Sequence, residues 1–172
     1  IDPHTVVPSQ QRWDAPKAQR YTYPLSKEED FSKKCQVCLA WLTADIKEPV
    51  PVLGLMLLES ILLGNAASPL RKALTDSALG ADLSDGSGFD RDNRDTLFAC
   101  GLKDTSESDA DDIEALILNT LKELCEKGIE AELIEAAIHQ MELSRKEVSN
   151  VPYPFGLKLL LRFSGSWFHE GD

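Results

Sequence analysis

Long apolar runs are missing from this sequence. No stretch reaches the ~18 apolar residues that a membrane-spanning helix needs. The best candidate, residues 50–63, is interrupted by Pro51, Gly54, Glu59 and Ser60. A membrane partner is therefore not expected. The first residues also lack the charged start and apolar stretch of a secretory leader. Basic charge is scarce: 18 Lys and Arg stand against 29 Asp and Glu, a net charge of −11. A nucleic-acid partner would want a basic face, so none is expected. The acidity is compatible with basic peptides, but its plainer consequence is solubility.

Cysteine is sparse as well. Cys35, Cys38, Cys100 and Cys125 are too few and too scattered for a disulfide scaffold in 172 residues. Cys35-Gln-Val-Cys38 has the spacing of zinc knuckles and redox motifs. It lies, however, in an apolar run that reads as a strand, where residues three apart point to opposite faces. No second pair completes a four-cysteine site.

The familiar nucleophile and phosphate signatures are absent. There is no G-x-S-x-G and no G-x-x-x-x-G-K-[ST]. Gly86-Ser87-Gly88 reads as a flexible turn. The three histidines, His4, His139 and His169, are far apart. The run H139-Q-M-E-L143 resembles the inverted zinc motif H-x-x-E-H only in part, because Leu143 stands where the second histidine is needed. Zinc catalysis needs about three protein ligands, so His139 is expected to be a partly buried helix residue with a polar contact. Asp82, Asp85, Asp90 and Asp92 lack the glycine and closing glutamate of a calcium loop and read as a solvated loop.

What remains is an ordered succession of elements. Residues 1–32 are polar and punctuated by Pro3, Pro8, Pro16 and Pro24, which reads as an arm or linker. Its opening IDPHT has the look of an expression-vector remnant. Residues 33–172 form the expected domain. A buried strand is expected over 35–46 and a helix over 51–63, stopped by Gly64-Asn65. Ser68 as N-cap and Pro69 at the first helical position start another helix, running to about residue 80. Strands are expected over 81–88 and 95–102. Helices follow over 106–127, with Ile113, Leu116, Ile117, Leu121 and Leu124 on one face, over 130–148, with Leu133, Ala137 and Met141 inward, and over 155–167. Trp41 and Trp167 are the expected core anchors. This order predicts an α+β fold, with helices packed on one face of a mostly antiparallel sheet.

Residues 54–64, GLMLLESILLG, resemble a helix of insulinase-type (pitrilysin) zinc metallopeptidases that reads roughly G-x-x-H-x-L-E-H-x-L-x-x-G. On this register Met56 and Ser60 occupy the two histidine positions, and Glu59 stands where the catalytic glutamate would be. An ordinary core helix with one polar face would read the same way. Residues 62–74 (LLGNAASPLRKAL), 100–103 (CGLK), 137–147 (AIHQMELSRKE), 155–157 (FGL) and the ending 167–172 add to the resemblance, and they are similar to the presequence-protease branch. The resemblance covers about residues 35–172 and matches the second, non-catalytic domain of the peptidase's first half. It implies a pitrilysin-type αβ roll that packs against the other domains of a zinc metalloendopeptidase. Such an enzyme encloses a chamber in which unfolded peptides are cut. It also implies zinc in the parent enzyme, no metal and no catalytic residue in this segment, and a structural role for it. A stand-alone, non-enzymatic binding or scaffold protein of the same fold is the alternative. The implied compartment is the cytoplasm in a bacterium or an organelle matrix in a eukaryote.

Overall fold

The computed structural model describes residues 6–28 and 31–169. The opening IDPHT, with its look of a vector remnant, lies outside the described residues, and His4 with it. Residues 6–28 form no helix or strand. They are tied down at a few points. The Gln10 amide donates to the Asp95 carboxylate at 2.6 Å, and Arg12 donates to the Thr43 carbonyl at 2.6 Å and pairs with Asp95 at 3.3 Å. The Tyr23 hydroxyl donates to the Lys34 carbonyl.

Strand β1, Cys35–Asp45, is followed by helix α1, Pro49–Leu63, and helix α2, Pro69–Asp76. Strands β2, Asp82–Leu83, and β3, Gly88–Asp90, lead into the long strand β4, Asp95–Thr105. Helices α3, Ala110–Lys127, α4, Ala131–Lys146, and α5, Phe155–Phe168, complete the order. The sheet is antiparallel throughout. β4 is its centre: β1 pairs along one edge, and β2 and β3 share the other. This is the α+β architecture that the sequence implies.

Alternation on the strands decides where the core lies. Val37, Leu39 and Trp41 of β1 stand across from Leu102, Cys100 and Phe98 of β4, so all six share one face. Against that face pack Leu62 and Leu63 of α1, Leu70 and Leu74 of α2, and Ile113 and Ile117 of α3. Leu70, Leu74, Leu102, Ile113 and Ile117 have no exposed surface. Burying each stabilises the fold by about 1.5–3 kcal/mol. The five apolar positions read on α3 all belong to this cluster.

Close approach explains two glycines. At Gly64, which caps α1, an added Cβ would lie 2.3 Å from the Ser60 carbonyl oxygen. At Gly101 in β4, it would lie 1.9 Å from the Val37 carbonyl oxygen.

Several expectations are corrected. The strand expected over 81–88 is two short strands, because the chain turns at Ser84–Ser87. The Ser87 amide donates to the Ser84 carbonyl at 2.9 Å, and their hydroxyls bond at 2.9 Å. Helix α2 stops at Asp76 rather than near residue 80. There the Ser77 hydroxyl donates to the Leu74 carbonyl at 2.7 Å, and Ala78 enters the left-handed region at φ 58°. Ser68 does occupy the N-cap of α2, with Pro69 first in the helix. Its hydroxyl does not cap that helix, however, but accepts from the Asn65 amide at 3.1 Å, closing the α1–α2 loop. Leu133 on α4 is not inward; Ala137 is buried and Met141 half-buried. Trp41 packs against the core. Trp167 does not: it is 70% exposed and stacks on Phe168, because the side of this turn that meets Ile46 carries Gly165, two positions earlier and so on the opposite side of the helix.

Candidate functional site

Met56, Glu59 and Ser60 lie at i, i+3 and i+4 on α1, a spacing that puts them on one helical face. That face does not enter the main core. It looks into a hollow of about 210 Å³, closed on the far side by Gln140, Met141, Ser144 and Arg145 of α4, by Arg162 of α5 and by Arg91 of the β3–β4 turn. Helix α1 brings its side chains here because its other face is spent on the core, where Leu62 and Leu63 are buried.

Two electrostatic features define the hollow. Burial, unrelieved by any resolved charge or hydrogen-bond contribution, pushes the Glu59 carboxyl above the usual glutamate range. The Arg91 guanidinium donates to the Met56 sulfur at 3.2 Å. The hollow thus offers two thioethers, two hydroxyls, an amide and one carboxylate, beside three guanidinium groups. Among the described residues, no group of three or more His, Cys, Asp or Glu could hold a metal ion. Zinc is bound by imidazole, thiolate and carboxylate, so this donor set does not fit it.

The family model described as "Peptidase M16 inactive domain" matches residues 4–141. The chain belongs to the peptidase M16 family. The M16 segment is 36% identical over 175 residues to "Presequence protease, mitochondrial" of Xenopus tropicalis, covering 100% of this chain and 17% of that protein. It is 35% identical over 153 residues to "Presequence protease 1, chloroplastic/mitochondrial" of Arabidopsis thaliana, covering 87% of this chain and 14% of the relative. It is 30% identical over 166 residues to "Protein HypA" of Clostridium perfringens, covering 96% and 17%. The M16 segment therefore spans about a sixth of the length of these curated relatives.

Other candidate residues of this M16 domain fall elsewhere. His139 is exposed on α4 rather than partly buried, because α4 buries only Ala137. Asp85 pairs with Lys103 at 2.7 Å, and Asp90 accepts from the Asp92 amide at 2.9 Å to shape its own turn. Cys35 and Cys38 occupy opposite faces of β1, and all four cysteines are free thiols. Burial pushes the Cys100 thiol up to about 12, so it is an inert core residue. Sequence reasoning missed Arg91, Arg145 and Arg162. They lie 54 or more and 17 positions apart along the chain by their numbers, and only the folded packing of α4 and α5 on α1 brings them together.

Proposed function

We propose that this M16 domain is an architectural part of a longer zinc metalloendopeptidase. It packs against the catalytic domain and helps to wall a chamber in which unfolded peptides are degraded. Residues 33–172 are the packing unit and residues 1–32 the arm that leads into it. The observation that carries the reading is the outer surface of α5. Leu160, Leu161, Phe163, Trp167 and Phe168 are all more than half exposed on a helix of 14 residues. A contiguous apolar surface of this kind is the mark of an interaction site. The relatives' length supports the presence of further domains to cover it. Glu59 stands in a degenerate position, with Met56 and Ser60 replacing the two histidines, and zinc belongs to another domain of the parent.

Hydrogen exchange tests this. The amides of α5 are compared in the isolated 172-residue chain and in a polypeptide of the relatives' full length that carries it. The proposal expects strong additional protection of α5 in the longer protein. Equal exchange in both would favour the alternative, a stand-alone scaffold of the same fold.

A further inference from the structure

The hollow beside Glu59 does not end at α4. A second hollow of about 500 Å³ adjoins it, lined by Ser149, Val151, Phe155, Lys158 and Leu159 among others. Ser144, Arg145 and Arg162 line both. The two form one groove running from α1, past α4, to the α4–α5 loop. Most of this groove lies beyond residue 141, where the family match ends.

Its charge runs against that of the molecule. The chain carries a net charge of −11, yet Arg91, Arg145, Lys158 and Arg162 line the groove against only Glu59 and Glu147. Lys158 is committed to the loop, donating to the Ser149 and Val151 carbonyls at 2.9 and 2.6 Å. The three arginines are not so committed. Among the described residues none of them forms an ion pair, and Arg91 contacts only the neutral Met56 sulfur. A local basic concavity focuses potential and attracts anions even on an acidic protein. Guanidinium groups bind carboxylates in a bidentate fork. Between them the groove presents Met56, Met141, Val151, Phe155 and Leu159, which suit apolar side chains.

The geometry points to a binding site for an acidic peptide segment. Its carboxylates would sit on Arg91, Arg145 and Arg162, and its intervening apolar side chains against Phe155 and Leu159. The mixture of spaced cations and apolar lining favours a peptide over a compact phosphate group, which needs no apolar wall.

Fluorescence anisotropy with a labelled peptide of alternating glutamate and leucine tests the site, with a lysine–leucine peptide as control. The expected result is saturable binding of the acidic peptide alone, weakened by added salt. Arg145→Glu with Arg162→Glu should weaken it by about tenfold or more. Both side chains are exposed, so the variant should keep its thermal melt. Lys122→Glu, on α3 and outside the groove's lining, should leave binding unchanged. Binding that survives the double reversal, or equal binding of the lysine peptide, would overturn the proposal. So would tight binding of inorganic triphosphate with none of the acidic peptide.

Discussion

The Arg91 guanidinium reaches the Met56 sulfur at 3.2 Å, so a positive charge stands beside the side chain that takes the first histidine's place in the proposed register. Rebuilding H-x-x-E-H with Met56→His and Ser60→His would restore two imidazoles around Glu59. It would not remove that charge, and α4 offers Gln140 and Arg145 where a third anionic ligand is needed. The double variant should bind zinc weakly at most and show no cleavage of an unstructured basic peptide above background. The unaltered chain should hold far less than one zinc after dialysis, read by elemental analysis. A tight one-to-one site in the unaltered chain would sink the degenerate-site reading. Chelator-sensitive turnover by the variant alone would show that the rest of a catalytic site survives here.

The pairing of β1 with β4 depends on Gly101. A methyl there would lie 1.9 Å from the Val37 carbonyl oxygen and 2.7 Å from the Cys38 Cα, both backbone atoms that cannot swing aside. Gly101→Ala should destabilise the domain by roughly 1–3 kcal/mol or more, seen as a lower urea midpoint with an unchanged slope. A neutral result would mean that the two strands can separate at this point without cost.

Two large apolar side chains should behave oppositely in the isolated chain. Leu70 is fully buried in the core, and Leu70→Ala should cost about 2–5 kcal/mol. Trp167 is 70% exposed, and Trp167→Ala should shift stability by no more than about 0.5 kcal/mol. Thermal or urea unfolding of the two variants separates them. A large loss at Trp167 would place it in a core after all.

That contrast marks what could be read from the sequence. The stripe on α3 is legible because five apolar residues recur at helical spacing, and all five belong to the core cluster or pack against it. The stop at Gly64 was legible because only a glycine tolerates the Ser60 carbonyl so near. Hydrophobicity alone does not tell an apolar side chain that meets its own core from one that waits for a partner, so Trp167 was misplaced. The break between β2 and β3 shows in the sequence only as the turn at Gly86-Ser87-Gly88; the amide and hydroxyl bonds between Ser84 and Ser87 that close it do not. Of the candidate site, Met56, Glu59 and Ser60 were visible as a helical triplet. The arginines opposite them were not, since nothing local ties Arg91 to Arg162.

Glu59 gives a prediction whose sign depends on pH. Burial raises its carboxyl above the usual glutamate range, and no bond or opposite charge offsets this. The folded chain therefore holds the proton more tightly than the unfolded chain does. Stability falls as pH rises through the interval between the unfolded and folded values, and the loss is complete above the folded value. At neutral pH the ionised Glu59 thus costs stability; below the ordinary glutamate range it costs none. Glu59→Gln keeps the shape and removes the charge. It should unfold at a higher temperature than the unaltered chain at neutral pH, and the gain should shrink to nothing as the solution is acidified below that range. Melting curves of the two proteins across the acid-to-neutral interval measure this directly. If the variant melts lower at neutral pH, the carboxylate is being held by the guanidinium groups across the hollow, Arg91, Arg145 or Arg162, and burial is not the dominant influence on it.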